Sequence, residues 1–553
     1  MSDIVTLNGY KIKDEKAVRS YETVSLMKAD TKLKEGYHVK TKGYYEANDG
    51  GSATYKITDT ASETEFQEEL DNGLYATLIV ENYVTPIMVG VQENNDIKDF
   101  LSKSNNNVDL NGKNYTLSDE VISNFKELCN GTIEFLSDAS IKFVNKKNIL
   151  LNNLKIQSQY QYEHYNDNQF ELITITRCSN IIIKNCHVDY NDKGIVINDS
   201  ELINIYNNIF EHSKSGAIEL QHIKEDEIVY TLDNIGCRNI EIHNNIFRNG
   251  YEGIKLAYYI QNCEIHGNNC YENTRDGIDY AGHYINGLFI HDNNIHDNTN
   301  NGIEIKELVI SDGYNPTIET RKMINVKIHS NIINHATQSS GINIQNHEAS
   351  VETDVEIYNN KINFFNDGGR GIRTNIEDNG IVNIYNNIIN GNNYYSIGIG
   401  IINSSNVKVF NNNIKNVANH GIYCEQQETS DNNHFNISIK ENEIISGVSA
   451  IKLDSTFENC VVTENILDSP SSKYLIVDDG TNNYTLLNTV PYKIVSMSGN
   501  TPVLENSETP RMEIGTILYN KDLTTTNSVG LIATSRSTLS AATYSKYIEI
   551  SNL

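Results

Sequence analysis

From about residue 178 to 468 the chain repeats one arrangement of apolar and polar positions. An apolar strand ends I-x-x-N, a further apolar residue follows, then a variable loop, then G-I-x-φ with φ apolar. IYNNIF at 205–210, IHNNIF at 242–247, IHDNNI at 290–295, IYNNKI at 357–362 and IYNNII at 384–389 are instances. Alignment gives Asn185, Asn208, Asn245, Asn268, Asn293, Asn331, Asn360, Asn387, Asn412, Asn442 and Asn465, in steps of 23 to 38 residues. A fixed floor with variable excess means one structural unit with loops inserted at tolerated places. Alternation of apolar and polar residues predicts strands rather than helices. Three short strands need a little over 20 residues, which matches the floor. Stacked coils of this kind form parallel sheets around an apolar interior. The predicted fold is all-β, a right-handed parallel β-helix of about eleven coils. The recurrent Asn fits an inward turn position where stacked amides bond along the axis. A propeller would need repeats of about 40 residues and antiparallel hairpins.

The flanks differ. Residues 1–88 lack the repeat and are expected to form an N-terminal attachment or capping domain, with a turn at Asn48-Asp49-Gly50-Gly51 before the strand-like ATYKI. NDIKDFLSKS at 95–104 reads as a short amphipathic helix capping the coil. The β-helix is placed at 89–470. Beyond about 470 the Asn period is expected to stop, leaving 471–553 as a C-terminal β domain for trimerisation or receptor binding.

Composition sharpens the picture. There is no Trp, and there are 33 Tyr and only 6 Pro. A net charge of −28 argues against nucleic acid, which is bound by basic surface. The eight cysteines form no C-x-x-C pair and are expected to be buried free thiols, with no metal site. No apolar run approaches the roughly 20 residues needed to span a bilayer. Met1-Ser2-Asp3-Ile4 opens no signal peptide, so synthesis in the cytoplasm without classical export is expected.

Residues 22–57, ETVSLMKADTKLKEGYHVKTKGYYEANDGGSATYKI, and 72–91, NGLYATLIVENYVTPIMVGV, resemble the start of phage tailspike and pre-neck appendage proteins of the pectate-lyase-like β-helix superfamily. The resemblance covers roughly residues 1–468. It departs where MVGVQENNDIKDF replaces the family's glycine- and aspartate-rich opening to the coil. It implies a homotrimeric virion protein, made in the host cytoplasm and acting at the bacterial surface. Such a protein joins phage tail or collar proteins through its N-terminal domain. It binds, and often degrades, a surface polysaccharide or teichoic acid.

Chemistry is sought at x of each G-I-x-φ, since Ile and φ point inward and x should face solvent. Read along the stack, x is Val196, Glu219, Lys255, Asp279, Glu304, Asn343, Arg373, Gly400, Tyr423 and Lys452. The insertions 222–236 and 306–322 leave just after this strand and would wall a groove. Glycoside hydrolysis needs one protonated and one ionised carboxyl, about 5–5.5 Å apart for retention and about 6.5–9.5 Å for inversion. Asp279 and Glu304, one coil apart, suit the first spacing, and Glu219 with Asp279 the second. Asp276, in the turn before Gly277, is a further candidate. Lys255, Arg275, Asn343, Arg373 and the rings of Tyr258, Tyr280 and Tyr284 are candidate substrate contacts, with Tyr259 and Tyr314 nearby. Arg370, Arg373 and His347-Glu348 are placed to grip a phosphate or carboxylate, or else the arginines pair with nearby acids. In a lyase or epimerase, Lys255 or Arg275 would act as base while Asp279 and Glu304 hold Ca²⁺; a hydrolase requires no cofactor. A glycan-binding adhesin with the same fold stays open beside these. His243, His266, His291 and His329 share an outward position and are read as a structural stack.

Overall fold

The computed structural model describes residues 18–490, except 137–138, 159–170, 190–192, 223–235, 308–320, 336–338, 347–350, 377–379, 427–433, 470–474 and 487; outside that span it describes only the backbone of short strands. The chain holds a right-handed parallel β-helix. Its packing divides into two compact units, Met1–Val196 with Asn204–Ile209, and Ile197–Ile203 with Phe210–Leu553. Among the described residues no helix is long and apolar enough to cross a membrane.

In the first unit, Arg19–Tyr21, His38–Thr41, Ala53–Thr58, Tyr75–Ile79 and Gln67–Glu69 form a five-stranded sheet in that order. Val39, Tyr55, Ile57 and Ala76 alternate into its core. The turn before Ala53 forms as expected: the Asp49 carboxylate accepts from the N–H groups of Tyr44, Tyr45, Glu46 and Gly51. The helix Lys98–Lys103 buries Phe100 and Leu101. Parallel coils follow, with Glu127–Phe135 paired to Asn107–Leu117 and to Lys147–Ser158.

The second unit carries most coils, and three features of its sequence build them. Ile254, Ile278, Ile303, Ile342, Ile372, Ile399, Ile422 and Ile451 stack in register, all with no exposed surface. Each such side chain contributes roughly 2–3 kcal/mol on burial. The preceding Gly has a steric reason: a Cβ on Gly302 would lie 2.7 Å from the Gly341 carbonyl oxygen, and one on Gly341 2.8 Å from that of Gly371. The column accordingly holds nothing larger than alanine, with Ala217 and Ala450 at two of its coils and glycine at those between.

The Asn ladder is the third. From Asn245 through Asn268, Asn293, Asn331, Asn360, Asn387, Asn412, Asn442 and Asn465, each backbone N–H and each Nδ2 donates to the next Asn Oδ1 at 2.9–3.1 Å. The last acceptor is Asn488, so the period runs one coil beyond the expected stop near 470. In this coil Thr485 pairs with Val462 at the strand position that is apolar in the earlier repeats, so the I-x-x-N signature is lost. At the other end Asn185 is not a rung. It is exposed with φ 54°, and Cys186 takes the position, donating its N–H to Asn208 Oδ1 at 2.8 Å. The residue before each rung is left-handed, as at Asn244 (φ 56°), Asn359 (φ 57°) and Asn386 (φ 57°), which is why the motif so often reads Asn-Asn.

On another face, the rings of His243, His266, His291, His329, Tyr358, Tyr385 and Phe410 stack continuously at 4.7–5.0 Å. The four histidines thus occupy the shared, partly exposed position expected of them. All eight cysteines are buried free thiols.

Candidate active site

The x positions form the ladder that their spacing predicts. Glu219 pairs with Lys255, Lys255 with Asp279, Asp279 with Glu304, Glu304 with Asn343, Asn343 with Arg373, and Arg373 with Gly400. The expectation that x faces solvent is corrected: Glu219, Asp279, Glu304 and Asn343 are 2%, 1%, 6% and 3% exposed, and Val196 is buried. The reason is electrostatic. Long cationic side chains lie across the acids, with Lys306 Nζ 3.3 Å from Asp279 and 2.5 Å from Glu304. Arg275 Nη1 lies 2.7 Å from Glu252, and Lys255 Nζ 3.5 Å from the same residue.

A second column runs beside x, at the residue before the glycine. It contains Glu252, Asp276, Asn301, Ser340 and Arg370, and it supplies what the single ladder lacked. Glu252 was missed in the sequence although it occupies the same motif position as Asp276. Glu252 and Asp276 are fully buried. Oxygens of Glu252, Asp276 and Asp279 lie within 4.8 Å of one another. Arg275 and Lys306 already provide the positive charge among these acids, so the group is poorly suited to a Ca²⁺ cage, whose oxygens must be free to converge on the ion.

Asp276 Oδ1 accepts from Asn301 N–H at 2.7 Å and from Asn300 Nδ2 at 2.8 Å, and Oδ2 lies 3.3 Å from Arg275 Nε. Burial, reinforced by the charges of Glu304 and Asp279, pushes its pKa up to about 7 against the pull of Asn301 and Arg275. Burial and the Glu252 charge raise Asp279 to about 6, opposed by Lys306. Glu304 accepts from Asn301 Nδ2 at 3.2 Å, Asn343 Nδ2 at 2.9 Å and Lys306 Nζ. Asn343 therefore positions Glu304. Glu219 is engaged at its own turn, where Oε1 accepts from Ser215 Oγ at 2.5 Å and Gly216 N–H at 3.1 Å.

A pocket of about 360 Å³ opens beside this cluster, lined by Arg275, Asn300, Asn301, Glu304, Lys306, Ser339, Ser340, Asn343, Gln345, Arg370 and Arg373. Arg370 donates to Glu425 at 2.7 Å, as the pairing alternative expected, whereas among the described residues Arg373 reaches only Asn343 Oδ1, at 3.5 Å.

The tyrosines require correction. Tyr280 is the inward φ residue, 1% exposed, its hydroxyl donating to Tyr258 O and accepting from Tyr284 N–H, both at 3.0 Å. It offers no ring to a ligand. Tyr284 is likewise buried, against the Tyr259 ring. Tyr258 stays partly exposed, with left-handed backbone at φ 67°. Tyr314, His347-Glu348 and most of both insertions lie outside the described residues.

A family model described as "Right handed beta helix region" matches residues 77–224. Among solved structures, the catalytic unit of an α-1,3-glucanase from Streptomyces thermodiastaticus is 11% identical, with 75% of this chain and 73% of that one covered and a TM-score of 0.42. A periplasmic alginate epimerase is 13% identical over 68% and 77%, TM-score 0.33. An Acinetobacter phage tailspike is 12% identical over 89% and 76%, TM-score 0.33. The likeness at these identities is one of fold. No curated protein matches the chain.

Proposed function

We propose that the chain is a tailspike-like depolymerase that hydrolyses a bacterial surface glycan at the pocket beside Glu304. The observation that carries this reading is the pair of buried carboxyls, Asp276 at about 7 and Asp279 at about 6, packed against a carboxylate that lines an open pocket. Hydrolysis of a glycosidic bond needs one carboxyl that keeps its proton near neutral pH and one acting as base or nucleophile. Asp276 takes the first role: it lies fully buried beneath Arg275 and Asn300, which line the pocket, and it donates its proton to the leaving oxygen when substrate displaces those side chains. Glu304, held by Asn301, Asn343 and Lys306, takes the second. Asp279 sits between them, and its negative charge helps Asp276 retain the proton.

Elimination is less well supported. Burial alone would weaken the hold of Arg275 on its proton, but the surrounding acids, Glu252 foremost at 2.7 Å, outweigh it and raise its pKa, so Arg275 makes a poor base. The tail-borne, homotrimeric setting is supported by the resemblance of residues 22–57 and 72–91, which assigns attachment to the N-terminal segment.

The test is release of reducing ends from host envelope glycans by wild type, Asp276→Asn, Asp279→Asn and Glu304→Gln, each with its trimer content checked. Loss of about 100-fold or more in the folded Asp276 and Glu304 variants is expected of a general acid and its partner. Unsaturated sugar in the product would establish elimination instead. Binding without release, in every glycan tried, would make the chain an adhesin.

A further inference from the structure

Arg373 is the cation of this pocket whose charge the protein leaves unanswered. Arg19, Arg238, Arg248, Arg275, Arg321 and Arg370 each lie within 3.4 Å of a carboxylate. Arg373 has none within ion-pair distance among the described residues, in a chain with 72 acids to 44 bases. Among the described residues its Nε is buried without a hydrogen-bond partner, and Nη1 makes a single 3.5 Å contact. Burial and the neighbouring Arg370 push its pKa down, and the more distant charges of Glu425 and Glu304 offset this only in part. The local sequence maintains this state. The next rung is Gly400, which has no side chain, and Arg370 folds into that space, its Cδ and Nε 3.0 and 3.1 Å from where a Gly400 Cβ would stand. Arg370 thereby reaches Glu425 and takes the direct ion pair with it, leaving Arg373 only the longer-range influence of that acid.

We infer that Arg373 binds an anionic group, a carboxylate or a phosphate, on the glycan that enters the pocket, making this an enzyme for acidic rather than neutral chains. The guanidinium presents a planar fork of donors that matches either group in a bidentate pair. Arg373 stands two strands from Glu304 through Asn343, roughly 10 Å at the usual spacing between strands. The anion therefore sits on a unit beside the one cleaved. Residence there fixes the register of the chain over Glu304. The inference rests on the hydrolase reading for its catalytic meaning, but binding can be measured without cleavage.

Calorimetric titration of the full chain with an oligoglucuronate, a glycerol phosphate oligomer and a neutral glucose oligomer tests it. Wild type is expected to prefer an anionic oligomer, and which of the two it prefers identifies the group as carboxylate or phosphate. Arg373→Gln should weaken that binding about tenfold or more, the worth of a charge-assisted hydrogen bond, and Arg373→Lys should restore part of it. Circular dichroism confirms that each variant is folded. Equal binding by Arg373→Gln, preference for the neutral oligomer, or no binding of either anion by wild type overturns the inference. Anion binding through Arg373 without release of reducing ends by wild type upholds it and removes the hydrolase reading alone.

Discussion

Asp276 and Asp279 keep their protons at pH values where exposed carboxyls have lost theirs, because burial and neighbouring acids penalise the charged form. Their folded pKa values lie above the unfolded ones. Between about pH 4 and 7 the folded chain therefore holds protons that the unfolded chain releases. The stabilisation is present in full below the unfolded pKa and is lost as pH rises through the folded pKa. The denaturant midpoint should consequently be lower at pH 8 than at pH 5. Asp276→Asn should recover on the order of 2–4 kcal/mol of that difference, read from denaturation curves at the two pH values. Cleavage by wild type should fall as pH passes about 7, where Asp276 loses its proton, and a pH–rate profile checks this.

At the scale of the element, the Asn rung couples consecutive coils through both side chain and backbone. Asn360 Oδ1 accepts from Asn331 N–H and Nδ2, while its own Nδ2 donates to Asn387 Oδ1, Ile328 O and Tyr358 O. Asn360→Ala takes the acceptor from the buried Asn331 N–H and Nδ2 and the donor from Ile328 O and Tyr358 O, while its backbone N–H still meets Asn387 Oδ1, and should cost about 2–4 kcal/mol in a chemical denaturation experiment. The adjacent Asn359 is in the same motif but has a different role, holding φ 57°. Asn359→Gly should change stability by less than about 1 kcal/mol, since glycine adopts that backbone freely. The contrast between two neighbouring asparagines separates hydrogen bonding from conformation.

For the whole molecule, the interior determines the chemistry of the thiols. Cys186 is pushed up to about 11 and Cys237 and Cys460 to about 12, by burial in each case. All eight thiols should resist an aromatic disulfide reagent in the folded protein and react together after denaturation, which thiol titration in both states will show. The net charge of −28 also sets the ionic background for the pocket. A negative molecule repels acidic glycans at long range, so raising the salt concentration should first speed their association with the pocket, a trend visible in stopped-flow binding at increasing ionic strength.

The parallel coils, the isoleucine columns, the Asn ladder and the pairing of Lys255, Asp279, Glu304 and Asn343 on successive strands were legible in the sequence. Each follows from a periodicity, and a two-residue alternation along stacked strands leaves one register in which the apolar positions coincide. Misplacement of Asn185 by one residue marks the limit of that argument, because Asn serves both the left-handed position and the rung and only the hydrogen bonds tell them apart. What the residues do across the coils was decided by tertiary structure. Glu252 joined the acid cluster from the column beside the ladder, and Lys306 and Arg275 folded over acids expected to face solvent. Long side chains take their direction from charges on other coils, and spacing along the chain carries no record of those charges. Periodicity therefore determined where the strands stack, and the balance of burial and charge between stacked strands determined which carboxyls keep a proton and which arginine is left to meet an anion.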